Sequence, residues 1–168
     1  MQRRTLLKLG VTASAVLLIA GGTAAFIKPG LTQGLLSASG RTVFSAVSSA
    51  VLDTTLPAGP ADRQRVIDGL LGRIDVLIGA LPSHAQDELS QLLSVLASTV
   101  GRRTLAGLDT PWADASVADV QAALQGMRIS SLALRQQAYA ALHDITAGAY
   151  FSEPASWALL GYPGPTKI

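Results

Sequence analysis

Acid–base or metal chemistry in this 168-residue chain would have to be built from two histidines, His84 and His143, and eleven carboxylates, with no cysteine at all. The histidines lie far apart in sequence and neither sits in an H-E-x-x-H pattern, so a helical zinc pair is not indicated. Without cysteine there is no disulfide, no Cys-ligated zinc or iron–sulfur cluster, and no haem attached through C-x-x-C-H. Asp53, Asp68, Asp75 and Asp144 are carboxylates that could pair as acid and base, yet each is expected at a helical position that solvent would satisfy. No G-x-G-x-x-G, G-x-x-x-x-G-K-[ST] or G-x-S-x-G occurs, which removes the dinucleotide, P-loop and hydrolase-elbow readings. No catalytic, cofactor-binding or metal-ligating residue is assigned, and the chain is not expected to be an enzyme in its own right.

The formal net charge is +2, but Arg3, Arg4, Lys8 and Lys28 all fall in the first 28 positions. Nine basic and eleven acidic residues remain for the body. A near-neutral body of this kind lacks the basic patch needed to neutralise several phosphates, so nucleic acid is excluded as a partner.

The elements that would carry any function begin with a targeting segment. Arg3-Arg4-Thr5-Leu6-Leu7-Lys8 follows the twin-arginine pattern, with paired arginines ahead of apolar residues and a lysine. Leu9 to Ile27 is uncharged and rich in Gly, Ala and Thr, and it is nearly as long as the roughly 20 residues that span a bilayer. No clean Ala-x-Ala site follows it, so both cleavage and retention as an inner-membrane anchor stay open. Residues 1–28 are read as signal or anchor, 29–40 as a linker, and 41–168 as one helical domain.

Within that domain the apolar residues recur at helical spacing. Phe44, Val47, Val51 and Leu52 predict a helix up to Leu56, stopped by Pro57-Ala58-Gly59-Pro60. Over 62–81, Val66, Ile67, Leu70, Leu71, Ile74, Leu77, Ile78 and Leu81 fall in an arc of about 140°, a wide core-facing stripe. Gly69, Gly72 and Gly79 stand opposite, and either another backbone approaches them or they are simply tolerated. Ser83-His84-Ala85-Gln86 has the form of a capping box. Its helix presents Leu89, Leu92, Leu93, Leu96 and Val100 to the core and ends at Gly101-Arg102-Arg103, a solvated end or a site for an anion or lipid headgroup. Trp112 lies in an irregular stretch over 104–115 and is read as a lid on the core. Ser116 to Asp119 is a second capping box, opening a helix to Gly126. A last helix, Ile129 to Tyr150, carries one stripe through Leu134, Ala138, Ala141, Leu142, Ile145 and Ala149. A second runs through Leu132, Tyr139, His143 and Tyr150, which predicts a central helix with His143 as a hydrogen-bonded core residue. No alternating run is long enough for a sheet. The fold expected is all-α, about five helices with an irregular, docked C-terminal tail.

That tail, Gly148 to Pro165, concentrates Tyr150, Phe151, Trp157 and Tyr162 among three prolines. Four large rings left in water would be costly at about 25 cal/mol per Å², so either the domain's own helices or a partner covers them. The aromatic pair, the small-residue and proline segment Pro154-Ala155-Ser156, Trp157 and Gly161-Tyr162-Pro163-Gly164 resemble the closing signature of the gluconate 2-dehydrogenase subunit 3 family. The Val51-Leu52-Asp53 to Leu56-Pro57 ending of the first helix is a weaker second point of resemblance. Here Pro154-Ala155-Ser156 is shorter than the Gly-Gly-Asn type insertion often found in that family.

The resemblance implies a small helical accessory subunit, non-catalytic, that accompanies a large flavoprotein of the GMC type through the Tat translocase to the periplasm. FAD would belong to the partner and no cofactor to this chain. A cytochrome c subunit is left open as a third member. Arg3, Arg4, Leu6, Leu7 and Lys8 would be the export signal, and Tyr150, Phe151, Trp157, Tyr162 and Pro163 the partner interface. The alternative is a self-standing periplasmic or membrane-anchored helical protein that binds an apolar ligand.

Overall fold

Ser37 opens the first helix: in extended conformation it accepts a hydrogen bond from the Gly40 N–H (3.2 Å) and caps α1 (Ala38–Val51). The structure is a computed structural model and describes residues 28–161. Ahead of α1, the segment expected to be a linker is a small antiparallel hairpin, β1 (Leu31–Thr32) and β2 (Leu35–Leu36), with Leu31 opposite Leu36 and Thr32 opposite Leu35. Gln33 and Gly34 both have positive φ, which is what a two-residue turn with the right twist requires. Two-residue strands are too short to show alternation in sequence. Leu31 and Leu36 are buried nonetheless, so ordered structure starts before Arg41.

The molecule is mostly helical. After α1 come α2 (Pro60–Gly79), α3 (Ser83–Ala97), a single turn α4 (Thr99–Gly101), α5 (Val117–Arg128) and α6 (Ala133–Phe151). Val43, Phe44 and Val47 are fully buried on α1, which packs against α2, α3, α5 and α6. The centre of the bundle is therefore α1, not the last helix. It ends at Val51, earlier than Leu56, and turns through hydrogen bonds from the Thr55 and Leu56 N–H groups to the Leu52 carbonyl.

Pro60 follows Gly59 at the start of α2, where its missing N–H is no loss. The predicted stripe is present: Ile67, Leu70, Leu71, Ile74 and Ile78 are buried, and Val66, Leu77 and Leu81 are half-buried at its edges. No backbone approaches the glycines opposite. A Cβ on Gly72 or Gly79 would meet nothing within 4 Å, and one on Gly69 only Arg73 at 3.7 Å. Close approach occurs instead at Gly30, where a Cβ would fall 2.6 Å from the Ser90 carbonyl oxygen.

Pro82, not Ser83, holds the N-cap position of α3, and its carbonyl accepts from the Ala85 and Gln86 N–H groups. Ser83 thus lies inside the helix and the expected capping box does not form; the Gln86 amide donates to the Leu81 carbonyl at 2.9 Å. Leu89, Leu93 and Leu96 are buried as predicted, but Val100 is 72% exposed. Ser98 breaks the helix, accepts from the Gly101 N–H (3.0 Å), and restarts it as α4 and a π-helical turn, Arg102–Ala106. That restart rotates Val100 off the apolar stripe. The turn stops at Gly107 with φ +77°.

Trp112 is buried and its indole N–H donates to the Leu96 carbonyl at 2.7 Å, so it closes over the core as expected. Ser116 caps α5 by accepting from the Asp119 N–H (3.1 Å), while its hydroxyl donates to the Asp119 carboxylate (2.7 Å). On α6 the first predicted stripe faces the core, with Ala138, Leu142 and Ala149 buried and Leu134, Ala141 and Ile145 half-buried. The second does not: Leu132 precedes the helix and is exposed, Tyr139 and His143 are only half-buried, and Tyr150 alone is in the core; the helix starts at Ala133, later than the expected Ile129. The tail is more regular than expected, since α6 runs on to Phe151 and a 3-10 helix follows over Pro154–Leu160.

Candidate functional site

The carboxylates singled out from sequence do not assemble into an acid–base pair. Asp53 pairs with Arg63 (2.6 Å), Asp68 accepts from the Gln64 amide (2.8 Å), and Asp144 meets His143 Nδ1 (3.1 Å). Asp75 departs from expectation most. It is buried on α2, accepts from the Leu36 N–H (2.8 Å), and is ion-paired with Arg41. Protein groups satisfy it, not solvent, because the hairpin carries a backbone donor to it. His143 is no core residue either: its side chain is 40% exposed and stacks on Tyr139 with ring centroids 5.4 Å apart. Among the described residues no group of three or more His, Cys, Asp or Glu could hold a metal ion.

The two arginines expected at a solvated helix end are used differently. Arg102 is buried, and its guanidinium donates to the Leu108 carbonyl (3.2 Å) and the Asp109 carbonyl (3.1 Å), tying down the loop beyond the π-helical turn. Arg103 is exposed and lies 3.5 Å from the Asp109 carboxylate. Nothing in the sequence marks Arg102 for burial, since the carbonyls it serves become accessible only when Gly107 reverses the chain. Arg135 of α6 plays a similar part, donating to the Leu105 carbonyl at 2.8 Å. It also floors an open groove of about 310 Å³ between that loop and α5, with Asp109 and Asp119 on the walls.

The aromatic tail divides into two parts. Tyr150 is 6% exposed and belongs to the chain's own core cluster, so most of its ring is covered from within. Phe151 packs edge-on against it, with centroids 5.1 Å apart, and is half-buried. Trp157 is half-buried, and its indole N–H donates to the Phe151 carbonyl at 2.7 Å, folding the 3-10 helix back onto the end of α6. Arg73 of α2 donates to the Ala149 carbonyl at 3.0 Å. Between α2 and the tail is a second open groove, about 250 Å³, lined by Arg65, Arg73, Tyr150, Glu153 and Ser156 among others. The tail surface from Phe151 to Trp157, with this groove beside it, is the candidate site for recognition. Tyr162 and Pro163 lie outside the described residues, as do Arg3, Arg4, Leu6, Leu7 and Lys8 of the expected export signal and the uncharged run to Ile27.

Among the described residues no helix is long and apolar enough to cross a membrane. No protein-family model matches the chain, and no curated protein or solved structure is detectably similar to it.

Proposed function

We propose that this chain is a non-catalytic accessory subunit of a periplasmic, membrane-associated flavin-dependent dehydrogenase, supporting the export and assembly of a large GMC-type flavoprotein that holds the FAD. The observation that carries this reading is the presence in one chain of Arg3-Arg4-Thr5-Leu6-Leu7-Lys8 at the head and the Tyr150-Phe151 to Gly161-Tyr162-Pro163-Gly164 segment at the tail. The Tat translocase carries assembled partners, so a small subunit with the signal can take across a cofactor-loaded companion that has none. Support from the fold is indirect: Phe151 and Trp157 are half-buried where α6 gives way to the 3-10 helix, and rings of this kind dominate interface energetics. Both grooves described above carry charged groups, Arg135 with Asp119 and Arg73 with Glu153.

Affinity purification from the native cell tests the reading. A larger co-purifying protein with a flavin absorption spectrum and dehydrogenase activity is expected. Recovery of this chain without any flavoprotein, from cells in which it is expressed at its natural level, would overturn it.

A further inference from the structure

The hairpin is the first described element after the uncharged run Leu9 to Ile27 in sequence, and it is fixed to the body at several points. Gly30 donates through its N–H to the Ser90 carbonyl (3.3 Å), and the Leu31 N–H donates to the Ser90 hydroxyl (3.1 Å), both on α3. The Ser37 N–H closes back on the Gly30 carbonyl (3.0 Å), and the Leu36 N–H donates to Asp75 on α2 (2.8 Å). Gly30 also sits where no Cβ would fit against Ser90 and Leu93, so this contact cannot slide without opening the packing. The chain that joins Ile27 to Gly30 therefore has almost no slack: three residues reach about 10 Å at most.

We propose that the hairpin end of the bundle, Lys28 to Leu36, is the face of this protein held against a lipid bilayer, with Leu35 at the headgroup boundary. The proposal rests on reading Leu9 to Ile27 as a retained membrane anchor. Given that anchor, the tether length places the hairpin within about 10 Å of where the apolar run ends, roughly the depth of the headgroup layer. The surface chemistry agrees. Lys28 is exposed, and Leu35 is an aliphatic side chain 50% exposed at the hairpin beside exposed Thr32 and Gln33. An isolated apolar side chain next to a basic residue suits an interface of acyl chains and headgroups. The α5–α6 connection lies elsewhere. It precedes a helix that starts beside Leu105, through Arg135, and only at its far end reaches α2, through Arg73 and Ala149. Leu132 in that connection is 63% exposed and serves as the comparison point.

The natural absence of cysteine makes the test direct. Full-length Leu35→Cys and Leu132→Cys proteins, each labelled with an environment-sensitive fluorophore, are reconstituted into vesicles of phosphatidylethanolamine and phosphatidylglycerol that contain a headgroup-region spin-labelled lipid. Both variants should float with the vesicles and keep the helical circular dichroism of the parent. The probe at 35 should be quenched several-fold more than the probe at 132. A ten-residue Gly-Ser insertion between Lys28 and Pro29 should bring the two to similar values. Failure to float would overturn the anchor reading and the proposal with it. Flotation with equal quenching at 35 and 132 would overturn the proposal while leaving the anchor in place, and efficient disulfide cross-linking of the unlabelled Leu35→Cys protein would then identify a second copy as the cover. Quenching at 35 that survives the insertion would overturn the tether as its cause.

Discussion

Asp75 and Leu36, 39 positions apart in sequence, are joined by a hydrogen bond of 2.8 Å from the Leu36 N–H to the buried carboxylate. One side chain thus closes the hairpin onto the bundle and receives Arg41 of α1 as well. Asp75→Ala would leave a backbone N–H without a partner in the interior, a loss of about 2–3 kcal/mol. The thermal midpoint, followed by circular dichroism, should fall by about 5–10 °C. Arg41→Gln should cost well under half as much, because its side chain is 43% exposed and partly exposed ion pairs contribute little. Equal losses would show that the ion pair, not the backbone bond, holds the hairpin.

Two glycines should respond to alanine with opposite signs. Gly30→Ala sets a methyl group against the Ser90 carbonyl and Leu93, and overpacking of that kind costs about 1–3 kcal/mol. Gly72→Ala, in the middle of α2 with nothing within 4 Å of the new methyl, should stabilise by about 0.5–1 kcal/mol. Urea titrations of the two variants decide this, and destabilisation by Gly72→Ala would mean that something packs on that face of α2.

Ser48 on α1 and Thr146 on α6 bury hydroxyl oxygens that have no hydrogen-bond partner. Each carries a desolvation cost with no compensating bond, so Ser48→Ala and Thr146→Val should be neutral or stabilising by up to about 1 kcal/mol. A loss above that in either variant would show that the hydroxyl is bonded in solution.

The tail should separate into a structural and a recognition part. Tyr150→Ala removes a core ring and should cost about 3–5 kcal/mol, enough to unfold much of the protein at growth temperature. Trp157→Ala combined with Tyr162→Ala should keep the helical circular dichroism and, on the proposed function, lower co-purification of the flavoprotein and its periplasmic activity. A folded double variant that still exports an active flavoprotein would place the contact elsewhere.

If Arg3-Arg4 is the proposed export signal, replacing both by lysine should leave the protein in the cytoplasm with the helical circular dichroism of the parent, because a twin-arginine pair acts as an address read by a receptor. Cell fractionation measures this, and normal export of the Lys-Lys form would sink the signal assignment.

What the sequence reveals follows from period. Ile67, Leu70, Ile74 and Ile78 announce their helix because one buried face repeats every 3.6 residues, and Trp112 announces a lid because a large ring in a loop needs cover. The buried roles of Asp75 and Arg102 are not legible, since their partners are backbone groups presented by a hairpin and by a reversed turn that no local pattern foretells. Val100 misleads for the same kind of reason: its spacing from Leu96 is helical, but the Ser98 break resets the phase. In the candidate site, the density of rings marked the tail, while its division between Tyr150 inside and Trp157 at the surface depends on how α6 ends against α2.

The central position of α1 also sets when the chain can fold. Among the described residues it is the first long helix to leave the ribosome, yet its faces are covered by α2, α3, α5 and α6, and α6 ends only at Phe151. Until that last helix is made, Val43, Phe44 and Val47 have no complete shelter, and the nascent chain shows a hydrophobic rod that chaperones would hold. The bundle consequently cannot complete its shape until α6 has been made, and any break in translation before Phe151 releases a product with its centre exposed.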